Sequence, residues 1–160
     1  MNLLHEKTKS ALSEQDLNLL HIFHALGKLR PYLPVMPEHL DDKDVVEHID
    51  QLILRFMKTQ DGIGRRLIPL IVEAIEPDTA EMTFIDKLNR LEKFGLIECD
   101  EWNLYRKLRN DLTHTYPEEK EELVAAINEA INVVPKLEMT YRKMKSFCQA
   151  KILSTGTENG

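Results

Sequence analysis

An all-α fold, an antiparallel bundle of four to five helices, is predicted by three observations. Apolar residues recur at helical spacing in segment after segment, and no stretch alternates apolar and polar residues with the period of two that a half-buried strand requires. At 160 residues, 42% of them apolar, the chain can enclose one core without staples. No internal repeat or low-complexity linker divides it. A single helical domain is therefore expected over residues 1–153, followed by a small polar tail, "STGTENG", disordered over 154–160.

The first helix is expected behind "SEQD", with Ser13 as N-cap, Asp16 in the first turn, and Leu19, Ile22, Phe23, Leu26 and Leu33 as its apolar stripe. Pro31, Pro34 and Pro37 make "RPYLPVMPEHL" a stiff connection. The acidic "DDKD" suits the N-terminus of a second helix, which runs through Val45, Ile49, Leu52, Ile53 and Phe56. Its stripe resumes at Ile63, Leu67, Leu70, Ile71 and Ala74. Gly62, Gly64 and Pro69 predict a bend or break between Asp61 and Pro69.

In "FIDKLNRLEKFGLIE" the apolar face is Phe84, Ile85, Leu88 and Leu91, and Gly95 is read as a left-handed cap over which Leu96 folds back. Asp100 is expected to cap the next helix, whose buried face is Trp102, Tyr105, Leu108 and Leu112. Thr115 and Glu118 have capping-box spacing around Pro117. They place the start of a last helix that uses Leu123, Ile127, Ile131 and Val134, is interrupted at Pro135, and continues through Tyr141, Met144 and Phe147.

Charge and cysteine usage narrow the functional classes. The net charge of −6 argues against a general polyanion-binding surface, so contact with nucleic acid requires a local basic patch. Cys99 and Cys148 form no CxxC pattern, which disfavours a disulfide framework or a cysteine-rich zinc site and makes a reducing cytoplasm the simplest compartment. The N-terminus shows no long apolar core or cleavage site, and no apolar run approaches membrane-spanning length; the expectation is a soluble, cytoplasmic protein without a membrane partner.

One stretch concentrates chemistry: "YRKLRNDLTHTYPEE", residues 105–119. On a helix, Arg106, Asn110 and His114 share one stripe and Arg109, Thr113 and Tyr116 the adjacent one, both away from the face of Tyr105, Leu108 and Leu112. Spacing leaves two readings open. In one, the arginines and Asn110 are solvated, His114 suits a helix C-terminus, and Tyr116 packs at a corner. In the other, the polar residues form an active site.

"RNDLTHTY" resembles the R-N-x-x-x-H motif, extended to R-x4-H-x-Y, of the HEPN family of helical bundles, and within it the HepT-like toxins paired with small nucleotidyltransferases. "RFMKTQDGIGRRL" and "FIDKLNRLEKFGLI" are similar to members of the same family, and the likeness spans about residues 15–150. The resemblance implies a ribonuclease toxin of a toxin–antitoxin system that needs no metal or other cofactor. A ribose 2′-OH attacks the neighbouring phosphodiester. His114 takes or gives the proton, its ordinary pKa of about 6.5 suiting both roles. Arg109 stabilises the phosphorane-like charge, and Asn110 orients the histidine or the phosphate.

The motif supplies only one histidine, whereas cleavage benefits from both a base and an acid. The family's solution is a homodimer with two motifs in one cleft, which would also double the RNA-binding Arg106 and Lys107. Tyr116, a phenol with a pKa of about 10, is implied instead to be the site at which a partner nucleotidyltransferase antitoxin of the MNT type adds AMP and silences the nuclease. A non-catalytic HEPN binding module, serving as the substrate-binding partner of a nucleotidyltransferase, is the alternative.

Other clusters carry less. His21 and His24 are spaced i, i+3 without further metal ligands and are read as partly buried structural residues. Arg55, Lys58, Arg65 and Arg66 form either a ridge for RNA or a partner, or a solvated face paired with Asp61. "DGIG" lacks the GK[ST] ending of a phosphate loop, "DDKD" reads as a helix start rather than a Mg²⁺ site, and no Gly-Ser doublet with paired aspartates marks the chain itself as a nucleotidyltransferase.

Overall fold

The computed structural model describes residues 2–114 and 118–154, with the side chain of His114 outside the description. Six helices follow in order: α1 Leu3–Leu29, α2 Lys43–Gly62, α3 Ile68–Ile75, α4 Phe84–Lys93, α5 Cys99–His114 and α6 Lys120–Cys148. A π-helical turn, Ile63–Leu67, joins α2 to α3 as one bent rod, so five rods pack together, and no strand occurs among the described residues. The all-α bundle is as expected.

The first helix departs most from the sequence reading. It begins at Leu3, where Asn2 Oδ1 accepts from the Leu4 amide at 3.0 Å, and Ser13 lies in its interior. The buried seam runs Ala11, Gln15, Asn18, Ile22, Ala25, Leu29, a spacing of four and three that keeps one face toward α2. Two members are polar, which hides the seam from an apolar count. Phe23 is 40% exposed and Leu33 is likewise outside the core, so neither belongs to the predicted stripe. Asp16 works across the bundle instead: it accepts from the Tyr141 hydroxyl at 2.6 Å and from Lys145 Nζ at 2.9 Å, fixing α1 to α6.

The proline-rich connection is anchored rather than merely stiff. Val35 is buried, and its N–H donates to Asn128 Oδ1 while its carbonyl accepts from Asn128 Nδ2, both at 2.9 Å. Asp42 then caps α2 through the amides of Asp44 and Val45. The bend expected between Asp61 and Pro69 is the π turn, which keeps the rod continuous. Pro69 sits in the first turn of α3, where its missing N–H matters least.

Thr83 and Asp86 form a capping box at the start of α4. Ile85 is 69% exposed, so the packed face of this helix is Phe84, Leu88 and Leu91. At its end Gly95 adopts φ +70°, and the amides of Gly95 and Leu96 donate to the carbonyls of Glu92 and Leu91, a Schellman closure with Leu96 buried. The next helix starts one residue before Asp100, which lies in the first turn; the Cys99 amide donates to Glu92 Oε2 at 2.7 Å. Trp102, Tyr105, Leu108 and Leu112 form its buried face as expected.

α6 runs unbroken through Pro135, contrary to the expected interruption. Proline costs a helix about 3 kcal/mol through the lost bond and the ring clash. Here Val133, Val134 and Leu137 are buried on either side of it, and Pro135 itself faces solvent, so packing offsets the loss. Thr115 of the expected capping box lies outside the described residues. So does the expected tail, apart from Ser154, whose hydroxyl donates to the Ala150 carbonyl.

Gly64 is a tight point of the scaffold that positions the cleft described below. A Cβ there would stand 2.9 Å from Cζ2 of Trp102, whereas a Cβ at Gly27 in α1 would meet nothing within 4 Å. Gly27→Ala is expected to stabilise the fold by about 0.5–1 kcal/mol through helix propensity. Overpacking outweighs that gain at Gly64, and Gly64→Ala is expected to destabilise by about 1 kcal/mol or more. Urea unfolding followed by circular dichroism compares the two; shifts of the same sign would refute the packing argument.

Candidate functional site

The end of α2, the π turn, the start of α4 and the middle of α5 enclose a cleft of about 320 Å³. Three guanidiniums line it: Arg65 from the π turn, and Arg106 and Arg109 from α5. Asn110 and Asp61 complete its polar wall, and Phe84, Trp102 and Gly64 lie at its base. Three cations against one carboxylate make the cleft locally positive on a protein of net charge −6.

Arg109 is not a free cation. Its side chain is 24% exposed, and its Nε and Nη2 donate to Oδ1 and Oδ2 of Asp61, each at 3.2 Å. This two-point geometry fixes the guanidinium plane and leaves the Nη1 edge outside the pair. Arg65 and Arg106 are exposed, and among the described residues neither has an ion-pair partner. Asn110 is exposed one turn beyond Arg106. Thr113 hydrogen-bonds back to the carbonyls of Arg109 and Asn110, so it stays within its own helix.

Lys107 points elsewhere. It pairs with Asp111 at 3.4 Å and lines a groove with Glu119, Glu122 and Glu129 between α5 and α6. The arginines of the motif therefore share a surface with Arg65 and not with Lys107. The side chain of His114, and Tyr116 with it, lie outside the described residues.

The basic ridge considered from the sequence divides among different partners. Arg66 pairs with Glu14 and also reaches Ser10 of α1, and Arg55 donates to Asn18 at 3.0 Å. Lys58 is exposed, and Arg65 alone joins the cleft. His21 and His24 lie with His48 in a groove between α1 and α2; His21 is half-buried near Gln51, but His24 is exposed, so only one of the two fits the structural reading. Among the described residues no group of three or more His, Cys, Asp or Glu is placed to hold a metal ion, and no helix is long and apolar enough to cross a membrane.

Neither cysteine is an activated nucleophile. Burial, then the Glu92 carboxylate, pushes the Cys99 thiol up to about 11, and burial pushes Cys148 up to about 12. Both are free thiols.

Sequence reasoning missed Gln60, Phe84 and Trp102 as parts of a site. The available signal was Gly64, because glycine inside a helix marks a close approach, here of the Trp102 ring; Gly62 marks the approach of Gln15 instead.

Removing Asp61 leaves the half-buried Arg109 charge without its partner. Asp61→Ala is expected to lower stability by about 1–2 kcal/mol, between the limits for exposed and buried pairs. Denaturant unfolding reads this directly, and an unchanged midpoint would show the pair to be energetically idle. Comparison of the chain with protein-family models, with curated proteins and with solved structures finds no match in any of the three.

Proposed function

We propose that the chain is a metal-independent endoribonuclease of the HEPN, HepT-like class, acting as the toxin of a toxin–antitoxin pair. The observation that carries the reading is the gathering of Arg109 and Asn110 of the motif with Arg106 and Arg65 in one cleft. An acidic protein thereby presents a local site for a phosphodiester. The five-rod all-α fold agrees with the family that the motif resembles.

In this reading the 2′-oxygen forms a bond to phosphorus, the P–O5′ bond breaks, and the products are a 2′,3′-cyclic phosphate and a 5′-hydroxyl. His114 of one chain accepts the 2′-OH proton, and His114 of the second chain of a homodimer supplies one to the leaving 5′-oxygen. Arg109, oriented by Asp61, meets the charge growing on the phosphoryl oxygens, and Arg106 and Arg65 hold the flanking backbone. Adenylylation of Tyr116 by an MNT-type nucleotidyltransferase would place a negative phosphodiester two residues from His114 and repel the RNA backbone.

One observation favours a second reading, the non-catalytic binding module. Asp61 already satisfies one edge of Arg109, as in a structural ion pair.

Cleavage of RNA in excess EDTA separates the two. The wild type is expected to cut, while His114→Ala and Arg109→Ala lose about 10²–10⁴ in rate with their helical signal intact. Cleavage abolished by EDTA, or variants as active as the wild type, would sink the nuclease reading. For the modification, incubation with the partner nucleotidyltransferase, ATP and Mg²⁺ is expected to add the mass of AMP to the wild type and stop cleavage, and to leave Tyr116→Phe unmodified. Equal mass gain in both proteins would remove Tyr116 from the proposal.

A further inference from the structure

Gln60 is the unexplained polar group of the cleft. It is only 6% exposed as a residue and lines the cleft on the last turns of α2; its carboxamide makes no hydrogen bond among the described residues and is not one of the fully buried polar groups, so its amide atoms stay open to solvent. The neighbouring Thr59 hydroxyl, by contrast, donates to the Arg55 carbonyl at 2.7 Å. A carboxamide that protein groups leave unpaired in the wall of a cleft keeps its donor and its acceptor for whatever enters. The indole N–H of Trp102, at the base of the same cleft and 1% exposed, is likewise unpartnered.

We propose that this cleft is a nucleotide subsite that selects adenine, with the base edge held by Gln60, its face against Phe84, and the adjoining phosphate held by Arg65 and Arg106. The chemistry of each wall supports the assignment. A carboxamide offers a donor and an acceptor side by side, and adenine presents the complementary pair on both its Watson–Crick and Hoogsteen edges; Gln to adenine is a recurrent pairing. Phe84 is half-buried, its ring tilted 44° against Trp102 at 6.2 Å, which leaves an aromatic surface backed by a second ring. Bases stack on such surfaces whatever their identity, so selectivity falls to Gln60. Arg65 and Arg106 are exposed cations without ion-pair partners among the described residues, suited to a phosphate. The volume of about 320 Å³ lies at the small end of ligand pockets, fit for one nucleotide.

The inference deepens the ribonuclease reading and rests on it for the source of the nucleotide, an unpaired residue of a single-stranded RNA. It is tested by binding in the full-length His114→Ala protein, which holds substrate without cutting. Fluorescein-labelled rA7, rU7 and rC7 and free AMP are titrated by anisotropy. The expected result is rA7 binding about tenfold tighter than rU7 or rC7. Gln60→Met, similar in shape but unable to pair with a base edge, is expected to abolish that difference. Arg65→Ala is expected to weaken all three strands alike. AMP binding far weaker than rA7 assigns the subsite to a strand, and comparable binding assigns it to the free nucleotide; either supports it. Equal affinity for the three strands, or adenine preference retained in Gln60→Met, overturns it. Adenine-selective binding by a wild type that never cleaves supports the subsite and removes the nuclease reading, whereas cleavage with a base preference that Gln60→Met does not alter removes the subsite alone.

Discussion

The contact of the Trp102 ring with the backbone at Gly64 is the constraint on which the functional end of the molecule depends. A side chain at Gly64 would stand within van der Waals repulsion of the indole, so the bare backbone of the π turn is what lets α5 close on the bent α2–α3 rod. Trp102 also packs against Phe84 of α4 and, edge to face, against Tyr105. Three elements thus meet on one ring. Seven residues further along α5, two helical turns, Arg109 falls opposite Asp61, and the ion pair follows from that closure.

The distribution of arginines explains how an acidic chain acquires a basic cleft. Arg55 and Arg66 are directed at α1, where Asn18 and Glu14 receive them. Arg65, adjacent in sequence to Arg66, emerges on the other side of the π turn. Adjacent helical residues point about 100° apart, so consecutive arginines serve different neighbours. The polar seam of α1, with Gln15 and Asn18 buried against α2, makes the α1–α2 register specific in a way that an all-aliphatic seam would not. Asp16, held by Tyr141 and Lys145, does the same for α1 and α6.

Helix caps, the Schellman turn at Gly95 and the clamp on Val35 all satisfy their backbone groups. Among the described residues the buried side-chain atoms left without a partner lie inside the bundle instead: the Trp102 indole N–H at the cleft, and Thr8 Oγ1, Gln15 Nε2 and Arg55 Nε away from it. Packing rather than local hydrogen bonding holds those positions.

The sequence by itself determined what local chemistry controls: the all-α class, the start of α2 at its acidic cap, the disturbance at Gly62–Pro69, the left-handed Gly95, and the face of α5 that is buried. Each depends on residues within a turn or two of one another, so periodicity and capping preferences read them correctly. Tertiary structure decided the rest. Polar Gln15 and Asn18 look like surface residues and are core, because α2 supplies their surroundings. Pro135 looks like a helix break and is not one, because packing on both sides of it outweighs a lost hydrogen bond. Whether Arg65, Arg66 or Lys107 joins Arg106 and Arg109 depends on the phase of the π turn and on which rods pack together. The cleft is assembled from Gln60, Phe84 and Arg106, residues separated by about 20 or more positions in the chain, and no local pattern encodes their meeting.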